Sequence, residues 1–547
     1  MGKKLSVAFL WHMHQPLYKD FLTGKYYLPW VRLHATYSYL DMISILDDFP
    51  GARCAFNLTP SLMYQLRDIA AGGNEHDVYL QLSRKDASHL TEENKCFILK
   101  NFFSCNFPTM IFPIERYRAL FSKRGEHLRK KELKRRIKLF SVEDFRDLQV
   151  FFNLAWCGFT LKEKDPLIKG LLEKGSGYTE EEKAQLLKRQ KEVVASILPA
   201  YRKLQEEGRI EISTTPFYHP ILPLLCRGRS GEGFNFRKDA KWHVEKAVSF
   251  YEDVFGRKPA GMWPAEGGVS MEIIPILASE GIEWIATDEG IILETFKKKK
   301  VTRDDLVFSP FRVSRLFRCG VDIVFRDVNL SNAISFTYSG MSPEQASHDF
   351  FNNIMGIKKA VERRKGDHIV SVILDGENPW IYYPDGGKEF LSGIYRLLTS
   401  SDKVELVTLG EYLRTHKKRK KTGDLISGSW INHDFKKWIG SPQKNKAWEY
   451  LLKAREEMFR DGEPSQAALE ELYIAEGSDW FWWYDEFGTE LNYVFDELFR
   501  MHLANIYRIM DKDVPGYLKE PIYLTEGLPV REKKEDHFSQ DRRGELR

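Results

Sequence analysis

The run Gly261-Met262-Trp263-Pro264-Ala265-Glu266-Gly267-Gly268 ends a short apolar stretch on one carboxylate, with flexible backbone behind it. At the mouth of a barrel such a carboxylate can serve as a nucleophile; in an ordinary loop it is a surface group. Other chemistry-bearing side chains stand in comparable places. Leu5 to Trp11 is a buried-strand type of run that delivers His12-Met13-His14-Gln15-Pro16, and residues two apart on a strand share a face. His12 and His14 therefore point the same way, as metal ligands, sugar hydrogen-bonding groups or satisfied structural histidines. Gly208 to Thr214 carries Glu211 and leads to His219. Glu211 is a site candidate or, alternatively, an outward strand carboxylate. His368 to Leu374 delivers Asp375-Gly376-Glu377-Asn378-Pro379-Trp380. Far down the chain, Asp479 sits inside Ala475-Glu476-Gly477-Ser478-Asp479-Trp480-Phe481-Trp482-Trp483-Tyr484. An all-round aromatic surface needs burial on every side, which favours a ligand cleft over a helix core.

Positioning these groups requires a repeated unit, and the chain supplies one. Apolar strand, polar residue at its C-terminal end, then helix recurs at Leu5–Trp11, Ala52–Leu58, Gly208–Thr214, Gly261–Glu266, Gly281–Gly290, Val321–Asp327 and His368–Asp375. That is the signature of an α/β barrel, whose active site lies at the C-terminal ends of the strands. Val404 to Leu409 can be counted as a last strand or left out. From about residue 75 to 205 the pattern becomes helical, an insertion after strand two, and Tyr26, Tyr27, Trp30, His34 and Tyr37 form a polar-aromatic loop able to wall a cleft. The predicted organisation is a barrel over residues 1–415 and a helical domain over 416–531, the boundary marked by Lys417 to Lys421. A charged, disordered tail follows over 532–547.

The chain has 547 residues and 43% hydrophobic content, enough for a large core. A net charge of +4 does not argue for nucleic acid or an anionic membrane, and the basic runs near Arg129–Lys138, Lys297–Lys300 and Lys417–Lys421 read as solvated faces. Six dispersed cysteines without a CxxC pair exclude a zinc ribbon and a small disulfide framework. The N-terminal run meets His12 too early for a signal peptide, and no stretch approaches the length of a membrane span, so a cytoplasmic protein is expected. Aromatics reach 13%, several grouped beside carboxylates and histidines, and flat rings with polar handles suit stacking on sugar faces.

Together these segments resemble glycoside hydrolase family 57, the retaining α-glucan enzymes. His12-Met13-His14-Gln15-Pro16, Gly208-Arg209-Ile210-Glu211-Ile212-Ser213, Trp263-Pro264-Ala265-Glu266, Leu374-Asp375-Gly376-Glu377 and Ala475 to Tyr484 are similar to the family's five blocks, in order. The resemblance implies an incomplete (β/α)7 TIM-like barrel with a C-terminal helical domain that contributes to the cleft. It also implies Glu266 as nucleophile and Asp375 as general acid/base. His12, His14, Glu211, His219 and Asp479 would then bind sugar hydroxyls, and Trp263, Trp380, Trp480 and Trp483 would offer stacking surfaces. No metal or cofactor is required. The expected activity is α-amylase-like, with 4-α-glucanotransferase or branching enzyme as alternatives by the same chemistry. A metal-dependent carbohydrate hydrolase or deacetylase and a noncatalytic glucan-binding protein are rivals. Gly267 and Gly268 stand where related enzymes often carry side chains, from which a roomier floor beside Glu266 is expected.

Overall fold

The computed structural model describes residues 3–125, 130–226, 234–315, 319–485 and 490–522. The tail expected over 532–547 lies outside the described residues. Seven strands build the barrel: β1 (Leu5–Met13), β2 (Cys54–Leu58), β3 (Ile210–Ser213), β4 (Gly261–Met262), β5 (Trp284–Asp288), β6 (Cys319–Arg326) and β7 (Ile369–Asp375). They run parallel in that order, and β7 returns to β1 over Ser6–His12. Two seams are thin. β3 meets β4 through the single bridge Thr214–Met262, and β6 meets β7 through Arg326–Ser371, so the barrel is nearly closed. The expected α/β barrel is therefore the observed architecture.

The two-residue period of a strand sorts side chains between two cores. Ala8, Leu10, Ala55, Ala286, Val324 and Ile373 pack inside the barrel with Trp263 and Trp284. Their neighbours Phe9, Trp11, Phe56, Ile212 and Phe325 face outward into the helices. Burying each large apolar side chain contributes roughly 1.5–3 kcal/mol. Register then stacks the interior in layers. His12 lies opposite Asp375 on one side and Asn57 on the other, and Asn57 lies opposite Ser213. Two residues lower, Leu10 lies opposite Ile373 and Ala55, and Ala55 opposite Glu211.

The ambiguous strand Val404–Leu406 pairs with Leu5, Ser6 and Val7 alone, low on β1, while β2 pairs higher, with Leu10 to Met13. It plugs the bottom of the wall without reaching the mouth, which is why periodicity left the count at seven or eight.

Between β2 and β3 the insertion runs from the helix Val78–Arg84 to the 27-residue helix Glu180–Glu206, which starts with a Thr179–Glu182 capping box. Sequence patterning did not suggest the small parallel pairing of Lys25–Tyr26 with His76–Asp77 at its root. The segment expected to wall a cleft is instead core. Trp30–His34 is a helix, Tyr26, Trp30, His34 and Tyr37 are buried, and the Trp156 ring of the insertion lies 5.0 Å from His34.

The expected boundary at residue 416 also moves. Lys420–Thr422 still belongs to the sheet, pairing with Phe311–Val313, and Gly428 bridges to Val269 on the barrel rim. The helical bundle proper comprises Pro442–Phe459, Gln466–Ala475, the short Ser478–Trp482 and Glu490–Ile509. No described helix is long and apolar enough to cross a membrane.

Candidate active site

The upper interior layer and two segments from beyond the barrel meet around Glu266. Its backbone lies in the left-handed region (φ 59°, ψ 22°), unusual for a residue with a Cβ and common where function constrains the chain. Neighbours on both sides hold this bend. Thr287 donates to the Gly267 carbonyl (2.6 Å), Thr215 to the Trp263 carbonyl (2.9 Å), and the Trp430 amide to the Glu266 carbonyl (3.0 Å). Gly267 also has positive φ (61°), a conformation that suits glycine. The expected roomier floor is absent. A Cβ on Gly267 would press on the Trp263 ring, and one on Gly268 on the Ala265 carbonyl, so the glycines serve a tight turn.

The Glu266 carboxylate is 13% exposed. The Trp430 indole donates to Oε2 (2.8 Å) and the Ser478 hydroxyl to Oε1 (3.3 Å). Burial, followed by the negative charges of Asp479 and Asp375, outweighs these donors and His14, and pushes the Glu266 pKa up to about 7.

Three histidines line the wall. His14 and His219 stack face to face at 3.7 Å, and His12 lies 5.4 Å from His219. Asn57 gives both amide hydrogens away, to Ser213 and Thr214, so its carbonyl accepts from His12 Nδ1 (2.7 Å) and leaves His12 Nε2 as an acceptor. Burial lowers the His12 pKa to about 4 and that of His219 well below its usual value, so both rings are neutral. His219, itself at positive φ (59°), reaches Ser478 through Nδ1 (2.9 Å), while its buried Nε2 has no partner among the described residues. His14 differs. Burial opposes its charge, but the Asp479 carboxylate at 2.7 Å outweighs burial and its pKa rises.

Asp375 ends β7 in the His12 layer, partly exposed, and accepts from the Asn378 amide (3.1 Å). Two residues on, Glu377 is fully buried among Tyr39, Gln15 and Ser38, and burial pushes its pKa up to about 8.

Of the residues singled out in the sequence, the structure brings together Glu266, Asp375, His12, His14, His219 and Asp479. Others need correction as sugar contacts. Glu211 lies one layer down inside the barrel, where it accepts from Trp284 Nε1 (3.0 Å) and the Gly410 amide (2.7 Å). Trp263 is wholly buried beneath the site. Trp380 packs on Trp11 and donates to the Gly376 carbonyl, because it faces outward from the barrel top. Trp480 is buried in the helical bundle, its indole donating to the Ile474 carbonyl. Trp483 keeps a half-exposed face while stacking on Phe495 at 5.0 Å. The aromatic run thus divides: Trp480, Phe481 and Tyr484 are bundle core, and Ser478 and Asp479 reach the barrel.

Sequence reasoning passed over Asn57, Glu377, Trp430 and Ser478 as site residues. Asn57 and Glu377 follow the same rule as the others, polar residues at strand ends. Ser478 lies beside Asp479 within the stretch Ala475–Tyr484, whereas Trp430 carries no local signal.

His14, His219 and Asp479 form a cluster of metal-binding residue types with ligand atoms within 4.8 Å of one another. The donors do not suit an ion. Imidazole lone pairs lie in the ring plane, and two rings stacked at 17° direct them along nearly parallel planes instead of toward one point. His14 Nε2 is also engaged by Asp479.

The match to known proteins agrees with this geometry. Over 87 residues the chain is 31% identical to Alpha-amylase 1 of Dictyoglomus thermophilum, a match covering 16% of this chain and 11% of that enzyme. Its fold is similar to that of a family 57-type branching enzyme from the archaeon Pyrococcus horikoshii (TM-score 0.62, 18% identity, 93% of this chain and 90% of that one). It is also similar to that of the α-amylase AmyC from Thermotoga maritima (TM-score 0.58, 16% identity, 93% of each chain). The model of glycosyl hydrolase family 57 matches residues 8–423, and the chain belongs to that family.

Proposed function

We propose that the protein is a retaining enzyme of α-glucans, with Glu266 as nucleophile and Asp375 as general acid/base. One observation carries this reading. Glu266 is held on both oxygens by donors from outside the barrel, with its backbone bent into the left-handed region, at the mouth where Asp375 ends β7. The Glu266 carboxylate attacks the anomeric carbon as Asp375 protonates the departing glycosidic oxygen. Asp375 then takes a proton from water or an acceptor sugar hydroxyl as that oxygen attacks the glycosyl-enzyme. His12 Nε2 and His219 Nε2 are acceptors for sugar hydroxyls, and the paired His14–Asp479 offers charge-assisted bonds at the same wall.

The substrate class rests on family membership and on the α-amylases and branching enzyme it resembles. Hydrolysis of the α-amylase type is the primary activity; transfer to a sugar acceptor is the second reading, favoured by the fold similarity to the branching enzyme. The stacked, partnered histidines favour hydrogen bonding over the metal-dependent alternative, and the paired carboxyl groups favour turnover over simple glucan binding. We place the reaction in the cytoplasm, consistent with free thiols at Cys54, Cys96, Cys105, Cys157 and Cys226.

Products formed from maltooligosaccharides and starch by wild type, Glu266→Gln and Asp375→Asn test the proposal. Release of shorter α-anomeric sugars by wild type, abolished in Glu266→Gln, is expected. Undiminished turnover in Glu266→Gln, or activity lost on chelation and restored by metal, overturns it.

A further inference from the structure

The segment Gly428–Asp434 comes from beyond the barrel in sequence yet supplies the strongest hydrogen bond to Glu266. Three fixings hold it to the rim. Gly428 pairs with Val269 through two backbone bonds (2.9 and 3.1 Å). The Trp430 ring stands edge-on to Trp263 (5.4 Å), with the Arg326 guanidinium over it at 5.5 Å. The third is His433, whose Nε2 bonds Asp288 Oδ1 (3.1 Å) at the top of β5. To make that reach, Asn432 and His433 both adopt positive φ (52° and 60°), a costly choice for residues with a Cβ. The seat is shaped for the ring: a Cβ on Gly290 would occupy the space of the imidazole. Asp288 also receives Arg326 (3.1 Å), so the residue that stacks on Trp430 and the residue that anchors its loop share one carboxylate.

We propose that His433 is a positioning residue: seated on Asp288, it latches the 428–434 loop so that the Trp430 indole fixes the orientation of the Glu266 carboxylate. The inference rests on the assignment of Glu266 as nucleophile. An unlatched loop leaves Glu266 free to rotate, which slows attack without changing how the sugar is bound. The groups facing His433 are Asp288, Glu289 and Glu294; Glu289 is itself paired with Arg303, and Asp288 with Arg326. The hydrogen bond to Asp288, helped by its charge, raises the His433 pKa. The latch is therefore charge-assisted below that raised value and weakens as pH rises through it.

Steady-state kinetics on maltooligosaccharides with His433→Ala, His433→Gln and Gly290→Ala test the latch. Gly290→Ala evicts the ring without altering it, and His433→Gln keeps an uncharged donor. His433→Ala and Gly290→Ala are each expected to lower kcat roughly tenfold with KM within about twofold. The ratio of wild-type to His433→Gln kcat should be largest at low pH and fall toward unity as pH rises, a trend that cancels limbs due to other groups. Wild-type kcat in both His433→Ala and Gly290→Ala, or a ratio flat with pH, overturns the latch. If Glu266→Gln is inactive in the same assay, that failure belongs to the latch alone; if Glu266→Gln is active, the nucleophile assignment has failed instead.

Discussion

The floor and the mouth of the barrel each bury a glutamate whose pKa burial pushes up, and the two have different surroundings. Glu211 on the floor meets the Trp284 indole of β5 and the Gly410 backbone amide of the helix Leu409–Thr415. Glu266 at the mouth meets an indole and a hydroxyl, both from the chain after the barrel. The floor glutamate is a cross-brace level with the apolar layer of Leu10, Ala55 and Ile373; the mouth glutamate stands where the strands end and the wall of polar residues begins. A buried carboxylate is thus poor guidance to function until its layer is known.

The largest expected effect separates the two by activity. Glu266→Gln should lower kcat by roughly 1000-fold or more. Asp375→Asn should lose about 100-fold or more on glucans and much less on aryl glycosides whose leaving group needs no proton. Glu211→Ala should instead lose stability, about 2–4 kcal/mol, because Trp284 Nε1 and the Gly410 amide are left buried and unpaired, with kcat of the folded enzyme nearly unchanged. Chemical unfolding beside kinetics checks this; a Glu211→Ala enzyme that is stable and inactive would merge floor and mouth. Next comes pH. If Glu266 is the nucleophile as proposed, it attacks only when ionised, so kcat/KM in the free enzyme should fall about tenfold per unit below the value near 7 to which burial pushes this carboxyl. A limb centred near 4.5 would remove Glu266 from the titration.

The smallest effect is on stability at the mouth. A carboxyl whose folded pKa is raised binds its proton more tightly folded than unfolded, so its contribution is full below the unfolded value and declines as pH rises through about 7. Glu266→Gln should therefore stabilise the protein by about 1–3 kcal/mol at pH 8 relative to wild type and by little at pH 4. Melting curves at the two pH values read this directly.

Much of the scaffold was legible because strands declare themselves by local pattern. Leu5 to Trp11 and His368 to Leu374 are apolar runs ended by polar residues, and both are strands of the barrel. β4 was less visible: Gly261–Met262 is only two residues long, and its partner on one side is a single bridge. Aromatic residues misled most. Trp263, Trp380 and Trp480 stood beside carboxylates in sequence, yet each is core, because a ring's neighbours along the chain do not say which face is left open.

The sequence by itself determined the barrel, its helical insertion, the family and the strand-end carboxylates Glu266 and Asp375, since these follow from apolar strand runs, helical periodicity and ordered local blocks. Only the tertiary structure decided that Glu211 is a brace, that Trp430 and Ser478 hold the Glu266 carboxylate, and that His433 meets Asp288. Strand register fixes the height of Glu211, and the other contacts join residues more than 140 positions apart: 430 − 266 = 164, 478 − 266 = 212 and 433 − 288 = 145. No periodicity carries information across such distances; chain packing alone brings those atoms together.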